Sequence, residues 1–174
     1  MDKLEIKSII VLSDKGARIY SKHSPKTKTK ITNKSQFEDQ IYQKAFKNAS
    51  LSEVEPFILN SEELLLHKRY DGLYICMLCD IDANEILMAS IFAVLEKSLE
   101  ALYKKPISLD SVLENLSILF LAINEIVFDG IISETEADLV VERVRMDASF
   151  QDNVFIEQTI GQAISNLKEQ IFKM

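Results

Sequence analysis

Cys76 and Cys79 stand at Cys-x-x-Cys spacing, a pattern that invites redox or zinc chemistry. Zinc takes four ligands, and the two histidines, His23 and His67, show no ligand spacing toward the pair. Both cysteines lie in the apolar run Leu73–Asp80 (LYICMLCD). In an extended strand, residues three apart point to opposite faces, so the two thiols diverge. The expectation is two buried, unpaired thiols packed as small apolar groups, as suits a reducing cytosol. A second candidate is the carboxylate set Asp80, Asp82 and Glu85, of a type that hard cations favour. It falls where a strand passes into a helix, and acidic side chains are stabilised at helix N-termini, so capping is the simpler role. His67 sits on a half-polar strand face and reads as a solvated or hydrogen-bonded surface residue rather than a catalyst. Lys22, Lys26, Lys28, Lys30 and Lys34 gather in one short stretch. That basic loop could touch acidic lipid headgroups or an acidic partner, although a solvated loop is the plainer reading.

No reactive constellation emerges beyond these. The chain has no G-x-x-x-x-G-K-[ST], G-x-S-x-G or H-E-x-x-H, and four scattered glycines cannot build a phosphate cradle. Its 174 residues are most simply one domain, with 47% hydrophobic and 27% charged residues. A net charge of −7 argues against a broad nucleic-acid surface. The amino terminus lacks the charged-then-apolar pattern of a secretion signal. No apolar run approaches the ~20 residues needed to cross a bilayer, so a membrane role would be peripheral and through a partner.

The elements that carry these residues can be read from periodicity. Leu73–Asp80 is apolar on both alternating faces, which calls for cover on both sides; it is the central strand of a sheet between helical layers. Ile6–Ser13 is a second such strand and should lie beside it, with Ile6, Ser8, Ile10 and Leu12 sharing a face. After the turn at Asp14-Lys15-Gly16, Ala17–His23 returns as a more polar edge strand. Ser24–Asn33 reads as a loop. Lys34–Ala49 is helical, with a stripe of Phe37, Ile41 and Ala45 and Phe46 beside it. Pro56–Leu59 and Glu63–Tyr70 are strands, the latter joined to the central strand through Asp71-Gly72.

From Asn84 the period becomes helical. Met88, Ile91, Leu95, Leu99 and Leu102 form a stripe widened by Ile86, Leu87, Phe92 and Val94, reaching about Tyr103. Ser108 is an N-cap for a second long helix that stops at Asp129-Gly130. Shorter helices follow over Glu134–Met146 and, with Ile156, Ile160, Ala163, Ile164, Leu167 and Ile171 on one stripe, at the end of the chain. The organisation expected is a single domain over 1–174, with a core of about 5–130 and a helical extension of about 134–172.

Several segments resemble known proteins. The element order is that of longin-type domains, and His67–Cys76 (HKRYDGLYIC) resembles the central hairpin of the small chains of adaptor and coat complexes. Asn84–Ala89 (NEILMA), Leu113–Val127 with Asp129–Ile132, Glu157–Thr159 and Lys168–Ile171 are similar to the coatomer zeta subunits of that family. The likeness runs from about Ile6 to Ile171 and is weakest over Ser24–Asn33.

The resemblance implies a longin-like α/β (α+β) fold: a five-stranded antiparallel sheet with one helix on one face, two on the other, and short C-terminal helices. It implies a non-catalytic coat subunit without cofactor, paired with the amino-terminal trunk of the gamma subunit in heptameric coatomer. An Arf-type GTPase would bring the complex to Golgi membranes, for Golgi-to-ER and intra-Golgi transport. A sigma chain of a clathrin-type adaptor and a GTPase-interacting longin module are the alternatives. In adaptor small chains the region matching Asp71-Gly72-Leu73 helps form the pocket for acidic dileucine signals; Asp71 would repel such a peptide here.

Overall fold

The computed structural model describes residues 5–31, 33–48 and 53–151, with side chains described for all of these except 45–48 and 147–151. The strands β1 (Ile6–Ser13), β2 (Arg18–His23), β3 (Glu55–Asn60), β4 (Glu63–Tyr70) and β5 (Leu73–Asp80) form one antiparallel sheet in the order β2-β1-β5-β4-β3. The most apolar strand takes the centre, flanked by β1 and β4. The charged β2 and the Pro56-bearing β3 take the two edges, where a missing N–H or a charge costs the ladder least.

The two faces of β5 are covered separately. Tyr74, Cys76 and Leu78, with Ile10, Leu12 and Leu65, pack under Phe37 and Ile41 of α2 (Lys34–Asn48). Leu73, Ile75, Met77 and Cys79 face the opposite layer, made by α3 (Glu85–Tyr103), α4 (Leu109–Glu114), α5 (Leu116–Ile126) and α6 (Ala137–Gln151). This is the two-sided burial expected of Leu73–Asp80. The parts of the stripes at Ala45 and Phe46, and the final helix expected over Ile156–Ile171, lie outside the residues whose side chains are described.

Local chemistry sets several boundaries. The Asn84 side chain accepts the Leu87 N–H at 3.1 Å and opens α3. Ser108 and Ser111 each accept the other's backbone N–H, at 3.1 and 2.8 Å, and so open α4. Gly16 takes φ +82°, as its turn requires.

The structure departs from the sequence reading of several elements. Ser24–Asn33 is not all loop: Ser24 caps a short helix α1 (Pro25–Lys30), with Pro25 pre-set for its first turn and Thr27 buried beneath it. The long helix after Ser108 breaks at Asn115 into α4 and α5, and it does not run on to a glycine cap. Instead Val127–Phe128 (β6) and Ile131–Ile132 (β7) form a hairpin around Asp129-Gly130. Both turn residues have positive φ, 50° and 89°, the geometry whose twist matches paired strands. In β1, the pairing with β5 slips between Ile6 and Ser8, and the irregularity turns Ile6 to the face of Ile9 and Val11. On α3, Ile86 is 80% exposed and leaves the buried stripe.

Candidate interaction surface

The residues singled out for chemistry are separated or engaged by the fold. Cys76 lies under α2 and Cys79 under α3–α6, so no dithiol forms; burial pushes each thiol up to about 12. Asp80 is held by Lys7 Nζ at 2.8 Å, and the cap expected of the carboxylates comes from the Asn84 amide, with Glu85 in the first turn. Lys7 also donates to the Glu62 carbonyl at 3.1 Å, so its ammonium ties the ends of three strands together. Among the described residues no group of three His, Cys, Asp or Glu is placed to hold a metal.

His67 corrects its sequence reading. It is fully buried between Glu55 of β3 and Cys76 of β5, because the edge strand extends the sheet past it. Neither ring nitrogen has a hydrogen-bond partner among the described residues, and burial holds its pKa below the ordinary 6.5. His23 accepts or donates at 2.8 Å with the Ser8 hydroxyl, and its ring meets Phe37 edge-on. Its pKa too is lowered, first by burial and then by Lys34, Arg18 and Lys28.

Lys22 leaves the basic cluster. It points to the other layer, donating to Asn124 Oδ1 and, at 2.6 Å, to the Val127 carbonyl at the end of α5. Burial lowers its pKa while Asp129 opposes the shift. Lys22 thereby fastens one side of the β6–β7 hairpin. The Ile6 N–H donates to the Gly130 carbonyl at 2.8 Å and the Ser133 N–H to that of Ile126 at 2.8 Å. A Cβ on Gly130 would sit 2.8 Å from Ser24 Cβ and 3.1 Å from the Ile6 carbonyl oxygen. The hairpin is therefore pinned to the start of β1 from several sides.

Out of this fixed hairpin stand Phe128 and Ile131, cross-strand partners that are 64% and 65% exposed. Phe120 of α5, half exposed, meets Tyr20 of β2 edge-on with ring centroids 6.0 Å apart. Of the seven large apolar side chains exposed among the described residues, five lie between Phe120 and Met146; the others are Ile58 and Ile86. Sequence reasoning could not separate these from core residues by type. The Asp-Gly pair between Val-Phe and Ile-Ile was nevertheless a hairpin signal.

A family model for the clathrin adaptor complex small chain matches residues 5–151. The chain belongs to that family. As an adaptor-type small chain it is 30% identical over 166 residues to coatomer subunit zeta-1 of Homo sapiens and of Bos taurus, covering 95% of this chain and 90% of theirs. Coatomer subunit zeta-2 of Arabidopsis thaliana is 25% identical over 170 residues, covering 95% of this chain and 92% of its own. In fold, the small chain matches a chain in a homology model of the full-length AP-3 complex in a stretched open conformation. The TM-score is 0.60 at 16% identity, covering 84% of this chain and 95% of that one. Among the described residues of this small chain, no helix is long and apolar enough to cross a membrane.

Proposed function

We propose that this chain is the zeta-type small subunit of a coatomer vesicle coat and acts without catalysing a reaction. It would pair with the amino-terminal trunk of the gamma subunit and join the heptameric coat through it. An Arf-type GTPase would recruit that coat to Golgi membranes, and the work served is Golgi-to-ER and intra-Golgi transport. The observation that carries this reading is the set of exposed apolar side chains on the helical layer and its hairpin, Phe120, Phe128, Ile131 and Leu139, on a chain that resembles a zeta subunit over 95% of its length. A side chain such as Phe128 gains by burial at about 25 cal/mol per Å², and a pinned hairpin presents it with little ordering cost. Obligate pairings of this type bury about 2,000–5,000 Å².

Co-expression with the gamma trunk tests the proposal. The pair should purify in equal amounts, with a higher melting temperature and solubility than the chain alone. Equal solubility and melting temperature in both preparations would refute it. A second reading, a sigma chain of a clathrin-type adaptor, is favoured by the family match itself; preferential capture of an adaptor large chain over gamma would select it.

A further inference from the structure

We propose that the corner formed by α1 and the start of α2 is a lysine-built contact for an anionic lipid bilayer. The choice of a membrane as occupant rests on the coat reading above. The geometry begins with Ser24, whose N–H donates to the Lys7 carbonyl at 2.8 Å and whose hydroxyl caps α1. With Thr27 buried beneath it, α1 is laid against the sheet, and Lys28 and Lys30 are left exposed, as is Lys34 at the first position of α2. Other cations of the region are engaged: Lys26 by Glu5 at 3.0 Å, Arg18 by Glu38 at 3.1 Å and Lys7 by Asp80. Lys28, Lys30 and Lys34 have no acidic partner among the described residues. Three positive charges without an acidic partner among the described residues thus lie close along the chain, on α1 and at the start of α2, in a protein whose net charge is −7. Lys34 and Lys28 also lower the pKa of His23, after burial, which is the larger cause.

The shape of the charge selects the occupant. Recognition of a phosphorylated or acidic peptide favours the planar fork of arginine, and the nearby Arg18 is committed to Glu38. The adjoining cleft of about 600 Å³ is lined by Lys7, Lys26 and Lys30 and by Glu5, Glu62, Glu63 and Asp80, with Lys26 on Glu5 and Lys7 on Asp80. With its carboxylates outnumbering its lysines, it gives an acidic segment no net attraction. What remains attractive is the outer corner, whose flexible ammonium groups suit a diffuse anionic plane. Each lysine near such a plane strengthens binding roughly fivefold, so three give on the order of a hundredfold. That assists a coat already recruited and does not hold it alone.

Flotation of the full chain with phosphatidylcholine vesicles, with and without phosphatidylserine, tests this. A larger fraction of the chain should float with the phosphatidylserine vesicles than with phosphatidylcholine alone, and high salt should abolish the difference. Each of Lys28→Gln, Lys30→Gln and Lys34→Gln should weaken binding roughly fivefold, with an unchanged melting temperature. Equal flotation with both vesicles, or undiminished flotation of the triple variant, would overturn the proposal. So would lysine-dependent capture of a poly-glutamate peptide without vesicle binding. Pairing with the gamma trunk is measured separately: the triple variant should still pair, and failure of the unaltered chain to pair sinks the coat reading whatever the vesicles show.

Discussion

Phe128 and Ile131 face each other directly across the Asp129-Gly130 turn, and nearly two thirds of each is open to solvent. The backbone behind them is pinned to β1, so the two side chains are presented and do not collapse inward. Phe128→Glu with Ile131→Glu should leave the melting temperature of the isolated chain within a few degrees, because neither side chain fills the core. Capture of the gamma trunk should fall at least tenfold, the loss of about 1.4 kcal/mol or more of contact. Unchanged capture in a quantitative pull-down would remove this hairpin from the interface.

The same hairpin depends on Gly130. A side chain there must adopt φ +89° and intrude on Ser24 and on the Ile6 carbonyl. Gly130→Val should cost at least ~2 kcal/mol of folding stability. Denaturant titration measures it, and a change below ~0.5 kcal/mol would show that the hairpin relaxes freely.

His67 buries two unsatisfied ring nitrogens. Replacing it by an apolar group of similar size removes that desolvation cost, so His67→Leu should stabilise the fold by ~1–2 kcal/mol near neutral pH. Because the folded-state pKa lies below the ordinary 6.5, the unfolded chain binds more protons as pH falls through that value. Stability should therefore decline below about pH 6.5. His67→Leu should flatten part of the decline; His23, depressed as well, supplies the remainder. A destabilised variant, or an identical slope in denaturant titrations across this range, contradicts the account.

At the β4–β5 tip, Asp71 is exposed while its carbonyl accepts the Leu109 N–H at 2.8 Å. A Cβ on Gly72 would meet Leu109 Cβ at 2.9 Å, and Leu73 is fully buried. The tip presents a carboxylate backed by packed chain. Acidic dileucine peptides should give no measurable heat at micromolar concentrations in titration calorimetry, whereas a saturable micromolar isotherm would contradict this.

Much of the fold was legible because its signals are local. Leu73–Asp80 announced two-sided cover by its unbroken apolar run, Ser108 announced a cap, and Gly16 a turn. The misses are places where two local signals compete. The Thr/Lys alternation over 26–30 hid a helix that Ser24 and Pro25 start from outside. Val127 and Phe128 continue the apolar stripe of α5, so periodicity alone carries the helix past its end at Ile126 and masks the hairpin. Ile6 changes face because of a slip in pairing with β5, which is a tertiary event. His67 reads as half-polar surface until β3 is seen to run past it. The interaction surface was the least legible part: Phe128 and Leu119 are alike as letters, and only the packing shows that one is covered and the other is not.

The two margins of the sheet have a further consequence. β3 carries Pro56, which contributes no amide hydrogen, and β2 carries Arg18, an exposed cation. Neither margin is a good template for a neighbouring copy to zip onto. In the proposed coat, neighbouring copies would thereby be kept from polymerising through the backbone, and association is left to side chains.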